Sequence, residues 1–268
     1  MGEVVVFKRI LGAFGVGAPS VDTVLAGPRV EPGGVLAGDV RLKGGDFDAH
    51  IEHITLGLVA HAQLVPDEDM PRPDDDEFLR VQVSGPFILC AGEERAVPFE
   101  IEMPWESPIS EVGGRQLAEM ALGVRTELAI AKAVDKGDLD PLAVEPLPSQ
   151  MRVLEALLSL GFQVQAADLE LGYNFGVSQE LPFYQVIAFS SPPRLAEVVD
   201  EVDLTFVAGP SGLVIILEAV EHVAGQLPAD AGIRFQVGHE EALGTDWAAE
   251  LDRWLAGLTG HGAAQGAT

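Results

Sequence analysis

The amino-acid sequence predicts an all-β protein, built as two tandem antiparallel β-sandwich domains with a short C-terminal helix. Three observations carry this. Val97, Phe99, Ile101 and Met103 alternate with Ala96, Pro98, Glu100 and Glu102, the period of a strand with one buried face. Met120, Leu122, Val124, Thr126, Leu128 and Ile130 likewise share a face, with Glu119, Arg125 and Glu127 on the other. The run Glu145-Pro-Leu-Pro-Ser-Gln150 then breaks the pattern, and strand signals resume after it, as expected of a domain boundary. The predicted division is 1–148 for a first sandwich with an N-terminal arm, 149–245 for a second, and 246–268 for a helix and an unstructured tail.

The 268 residues are 47% hydrophobic, enough for full cores, so a disordered chain is not expected. Forty-two acidic residues against 16 basic ones give a formal charge of −26. That surface repels phosphate backbones, and no basic stripe offsets it, which argues against nucleic acid as a partner. The single cysteine, Cys90, excludes an intramolecular disulfide and favours the cytoplasm. It ends an apolar strand pattern and reads as a buried, inert thiol. No run of about 20 apolar residues is present, so no membrane span is expected, nor a signal peptide.

Taken in order, Phe7, Ile10, Leu11 and Phe14 fall at i, i+3, i+4 and i+7 beside Lys8 and Arg9. This is one face of a short helix, either packed on its own domain or offered to a partner or membrane surface. The glycines Gly12, Gly15 and Gly17 do not have the spacing of a dinucleotide loop. Val21 to Leu25 and Val35 to Leu42 read as strands around a turn at Pro28–Gly34. Ile51 to Gln63 is a long strand with Ile54, Leu56, Leu58, Ala60 and Ala62 inward, and His53, Thr55, Val59 and His61 outward and solvated. His50, Glu52 and His53 invite a metal reading, but the two histidines point to opposite faces of a strand.

Asp67, Glu68, Asp69, Asp74, Asp75, Asp76 and Glu77 crowd an exposed, proline-rich loop. A solvated loop explains them; docking of a basic partner is the sharper alternative. Leu79, Val81 and Val83, then Phe87 to Cys90, continue the strands. Pro104, Trp105 and Pro108 form a shape-setting bend before the polar segment that leads to Met120. Asp135, Asp138 and Asp140 form a second acidic cluster without the spacing of a calcium loop.

Past the boundary, Met151, Leu154 and Leu158 mark a helix ending at Gly161. Phe162–Leu171, Phe183–Phe189, Val202–Phe206 and Leu213–Val220 read as strands. Ser211 lacks the Gly-x-Ser-x-Gly spacing of a nucleophile elbow. Trp247, Leu251, Trp254, Leu255 and Leu258 form a helical stripe, and the Gly/Ala tail after Thr259 is expected to be unstructured.

The order and spacing of several runs resemble the bacterial sporulation-control (SpoOM) family. They are Phe7-Lys-Arg-Ile-Leu-Gly-Ala-Phe-Gly-Val-Gly-Ala-Pro-Ser-Val-Asp-Thr-Val-Leu, Val30-Glu-Pro-Gly-Gly-Val-Leu-Ala-Gly-Asp-Val and Pro98-Phe-Glu-Ile-Glu-Met-Pro-Trp-Glu-Ser-Pro. The run Ala133-Val-Asp-Lys-Gly-Asp-Leu-Asp-Pro-Leu-Ala-Val-Glu-Pro adds to them, as do Leu157–Phe162, Leu181-Pro-Phe-x-Gln185 and Leu217-Glu218. The resemblance implies an arrestin-like pair of β-sandwiches and a cytoplasmic regulator of sporulation or differentiation. It implies protein partners, without catalytic residues, cofactor or metal. Two rival readings remain from the residues themselves: a metal-dependent enzyme using the His50 region or the Asp135–Asp140 cluster, and a peripheral membrane adaptor using the N-terminal arm.

Overall fold

The computed structural model describes residues 17–61, 64–65, 77–118, 120–131, 136–221, 227 and 231–265. The chain is mostly strand, arranged in several sheets, with its helices toward the C-terminus. It divides into two compact units. One holds described residues 17–61, 77–110, 120–131 and 136–145; the other holds 64–65, 111–118 and 146–265.

In the first unit, β1 (Ser20–Leu25), β3 (Val35–Lys43) and β8 (Glu94–Glu102) form a three-stranded antiparallel sheet in the order β1-β3-β8. The second sheet runs β2 (Arg29–Val30), β12 (Lys136–Val144), β11 (Ala121–Ile130), β4 (Ala49–His61), β6 (Glu77–Ser84), with β7 (Phe87–Leu89) also on β4. Alternation decides what meets between them. Leu36, Val40, Leu42, Phe99 and Ile101 are buried on the first sheet, and Ile54, Leu56, Leu58, Leu122, Val124 and Leu128 on the second, as the sequence pattern requires. Thr23 and Thr126 join hydroxyls at 2.5 Å in this interior, and the buried Asp138 carboxylate accepts the Thr23 N–H at 3.2 Å. Two sheets are thereby tied by a satisfied polar contact rather than by apolar packing alone.

The outer face of β4 departs from expectation. Thr55 and Val59 are buried, not solvated, and His53 is half-buried. Arg80 bridges Glu77 and Glu127 and donates to Thr55 Oγ1 at 3.3 Å. Gly57 makes room: a Cβ there would stand 2.1 Å from Glu77 Oε2. Charged side chains with long apolar stems thus roof a surface that the alternation alone assigns to water.

Cys90 is also a correction, being exposed. The strand ends at Leu89 and the chain turns through Gly92, at φ 69°, so the inward alternation stops one residue before the thiol. The Asp135–Asp140 region, left without an element by its acids and Pro141, is strand β12 from Lys136 onward. It pairs with β11 along its length, whereas β2 covers only Ala143 and Val144. Pro141 therefore sits where that side has no partner strand to miss its N–H. The bend between β8 and β11 holds Trp105 against the turn Glu31–Gly34, closed by Gly34 N–H to Glu31 O at 3.0 Å.

The second unit is built on one six-stranded sheet in the order β17-β16-β15-β14-β13-β5. These are β5 (Leu64–Val65), β13 (Gln163–Leu171), β14 (Phe183–Ser190), β15 (Val199–Gly209), β16 (Gly212–Glu221) and β17 (Gly232–Gly238). A small hairpin, β9 (Glu111–Val112) and β10 (Arg115–Gln116), forms within the polar segment that leads to Met120 and belongs to this unit. Helix α1 (Pro148–Ser159) starts with proline in its first turn, and Gln150 Oε1 accepts the Leu147 N–H at 2.8 Å. It ends at Gly161, φ 93°, with Phe162 N–H bonded to Leu157 O at 3.1 Å. Its buried face is Gln150, Val153, Leu154 and Leu157, whereas Leu158 is 45% exposed. The expected stripe was one position off, because Met151 and Leu158 flank the true i, i+3, i+4, i+7 row.

Helix α2 (His239–Gly244) and α3 (Trp247–Gln265) complete the unit. Trp247, Leu251, Leu255 and Leu258 are buried as the stripe predicts, and Trp247 meets Phe235 of β17 edge-on at 5.3 Å. His239 binds Ser149 Oγ and Gly209 O, each at 2.9 Å, joining α1, the β15–β16 turn and α2. The segment after Thr259 is helical to Gln265 rather than unstructured. Two glycines there each cost about 1 kcal/mol relative to alanine, but propagation from an anchored helix is cheap compared with nucleation.

Candidate functional site

The residues singled out in the sequence do not converge. Phe7, Lys8, Arg9, Ile10, Leu11 and Phe14 lie outside the described residues, as do Asp67, Glu68, Asp69, Asp74, Asp75, Asp76 and Asp135. Glu77 opens β6, with its carboxylate held by Arg80. His50 pairs with Ile88 on one flank of β4 and His53 with Ala129 on the other. Asp138 is occupied inside the sandwich by the N–H groups of Thr23 and Leu139. Among the described residues, no three of His, Cys, Asp or Glu are grouped to hold a metal ion. Cys90, beside Asp48, has its thiol pushed up by that carboxylate, which holds it in the protonated, unreactive form.

A different constellation arises from strand register in the second unit. β14 and β15 share only four pairs, Ile187↔Leu204 to Ser190↔Glu201. Beyond them the strands part: Phe183–Val186 stay with β13, and Thr205–Gly209 with β16. Where they part, a cleft of about 170 Å³ opens, lined by Glu170, Tyr184, Asp203, Thr205, Glu218 and residues 173–175 of the loop between β13 and β14. Pairing sets its floor, since Asp203 lies opposite Glu218, and Glu170 opposite Tyr184. Tyr184 donates its hydroxyl to Glu170 at 2.5 Å. Burial first, and Glu170 second, push the Tyr184 hydroxyl up. Asp203 is pushed up to about 7, chiefly by burial and then by Glu201, Glu218 and Glu170. Its Coulombic neighbours are all negative, so one carboxyl of the group retains a proton near neutrality.

Residues 172–182, between β13 and β14, border the cleft in a fixed shape. Gln179 Nε2 donates to the carbonyls of Gly172, Leu181 and Phe183 at 2.8–3.0 Å, and its Oε1 accepts from the Asn174 N–H at 3.1 Å. Arg234 of β17 donates to Phe175 O at 2.8 Å, pinning the far side. The loop so held presents two rings to water: Tyr173 is 63% exposed and Phe175 94%. It also borders a wider hollow of about 480 Å³ against Val207, Val214 and Gln236. Neither ring is packed into the core of this unit.

Sequence reading missed this site because Glu170, Asp203 and Glu218 are brought together by register, not spacing. The available signal was modest: Glu201 and Asp203 are the outward residues of the Val202-x-Leu204-x-Phe206 alternation, and Glu218 follows Leu217 in the same way.

Similarity to known proteins covers most of the chain. The SpoOM protein family matches residues 7–223. The chain is 32% identical over 223 residues to the sporulation-control protein spo0M of Bacillus subtilis (strain 168), covering 82% of each. It is also similar to the crystal structure of Spo0M, sporulation control protein, from Bacillus subtilis. There the TM-score is 0.75 at 29% identity, covering 90% of this chain and 99% of that one. No helix among the described residues is long and apolar enough to cross a membrane.

Proposed function

This chain belongs to the SpoOM protein family of sporulation control, and we propose that it acts as a cytoplasmic, non-catalytic regulator that binds a protein partner. The observation that supports this reading is the fixed loop 172–182, which holds Tyr173 and Phe175 in water beside the acidic cleft. Leaving Phe175 exposed forfeits on the order of 2 kcal/mol of burial, a cost offset when a partner covers it. No histidine or thiol is among the residues lining the cleft.

The experiment is capture from native lysate with the full chain and with a Tyr173→Ser/Phe175→Ser variant. A partner retained by the wild type is expected to drop at least tenfold with the variant, while both proteins melt alike. Equal retention by both, or conversion of a substrate by the purified chain, would contradict the reading.

A further inference from the structure

Strand β17 ends its sheet, and no strand pairs with its outer side among the described residues. The direction of its free groups follows from one bond. Gly238 N–H turns away from β16 to Glu241 Oε2 at 3.4 Å. Residues of an antiparallel ladder alternate in direction, so the N–H and C=O of Gln236, Arg234 and Gly232 also point off the edge. All three residues are exposed, whereas Ile233, Phe235 and Val237 are half-buried, with Phe235 against Trp247.

Open edges are normally protected by charge or by proline. Here β1 carries Asp22, β6 carries Glu77, and β8 carries Glu94, Glu100 and Glu102 besides Pro98. β17 reads Gly-Ile-Arg-Phe-Gln-Val-Gly, without an acid or a proline. On a chain of charge −26, a second copy is repelled by the acidic edges and not by the side chains of this one.

The order of residues narrows the occupant further. Read from either end, the strand gives glycine, a β-branched apolar residue, a polar residue and then Phe235. A two-fold axis through Phe235 therefore sets like against like. Ile233 faces Val237 of the second copy, Gly232 faces its Gly238, and the two Phe235 rings face each other. Arg234 faces Gln236, so cation never meets cation. The backbone fits the same register. Arg234 and Gln236 have their N–H and C=O outward, and this axis makes them the hydrogen-bonded pairs. Phe235 falls at the closer, non-hydrogen-bonded site, where cross-strand side chains touch. Such self-complementarity is what a two-fold interface requires.

We propose that β17 pairs antiparallel with β17 of a second copy of this chain, about an axis through Phe235, joining two six-stranded sheets into one. This self-association is separate from the partner contact at loop 172–182 and stands or falls without it.

Sedimentation equilibrium of the full chain over about 1–200 µM is the test, a range suited to a small interface. The wild type is expected to pass from one chain mass to two. Gln236 is exposed, so its charge can be changed without disturbing the core. Gln236→Glu sets a carboxylate opposite Arg234 of the second copy, twice per dimer, and should tighten the dimer about fivefold. Gln236→Lys sets an ammonium there and should weaken it about fivefold. Net charge alone predicts the reverse order, because the first variant adds to −26 and the second subtracts from it. A chain that stays monomeric throughout overturns the proposal. So does a dimer that responds equally to both substitutions, or in the reverse order.

Discussion

Replacing Gly33 by alanine is expected to destabilise the first unit by about 3 kcal/mol. Two effects add. Gly33 has φ 69° at the third position of the Glu31–Gly34 turn, a conformation that suits glycine and strains any residue with a Cβ. A Cβ there would also stand 2.5–2.6 Å from three ring atoms of Trp105, closer than two carbons approach. Trp105 cannot swing freely away, because its segment is tied by Met103 N–H to Gly34 O at 2.9 Å and by Ser107 to Pro104 O. Trp105→Ala alone costs about 2 kcal/mol, less than a fully buried tryptophan, since the ring is half-exposed. In that background the alanine at 33 loses its clash and keeps only the backbone cost, about 1 kcal/mol. The two substitutions should therefore be non-additive by roughly 2 kcal/mol. Amide exchange in β3 and β8 reads this for the first unit separately from the second. Strict additivity would show that Trp105 does not rest on Gly33.

Asp203→Asn is expected to stabilise the second unit, and to do so only as pH rises. In the unfolded chain this carboxyl titrates near 4; in the folded one it is pushed up to about 7. Between those values the folded state holds a proton that the unfolded state has released, so folding stability falls as pH rises from about 4 to about 7. Asparagine carries no such penalty. Its advantage should be near zero at pH 4 and reach on the order of 1–2 kcal/mol at pH 8, after allowance for water screening a partly open cleft. Thermal melts of both proteins at the two pH values check this. An advantage of equal size at pH 4 and pH 8 would remove the crowded-acid description of the cleft.

Much of the fold was legible because alternation reports directly on burial. The inward residues of β4, β8 and β11 follow the sequence pattern, as does the stripe from Trp247 to Leu258 on α3. What escaped had weak local signals. β12 carries acids and a proline, and its place is decided by its ladder with β11. β17 shows Ile233, Phe235 and Val237 in alternation, but over only seven residues. Thr55 and Val59 are covered by Arg80, Glu77 and Glu127, which no period predicts. The site was less legible than the fold for the same reason. Glu170, Tyr184, Asp203 and Glu218 come from four strands, and the shape of loop 172–182 depends on one glutamine.

The central claim is that the chain meets its partner at the rim of this cleft, and position 175 reports on it most directly. Phe175 can be replaced in the full chain by the photoreactive p-benzoylphenylalanine, with the same replacement of Phe47, 82% exposed on the first unit, as the comparison. Irradiation in the native cell is expected to give one protein adduct of defined mass from position 175 and none from position 47. Adducts from position 47 with none from position 175 would contradict it.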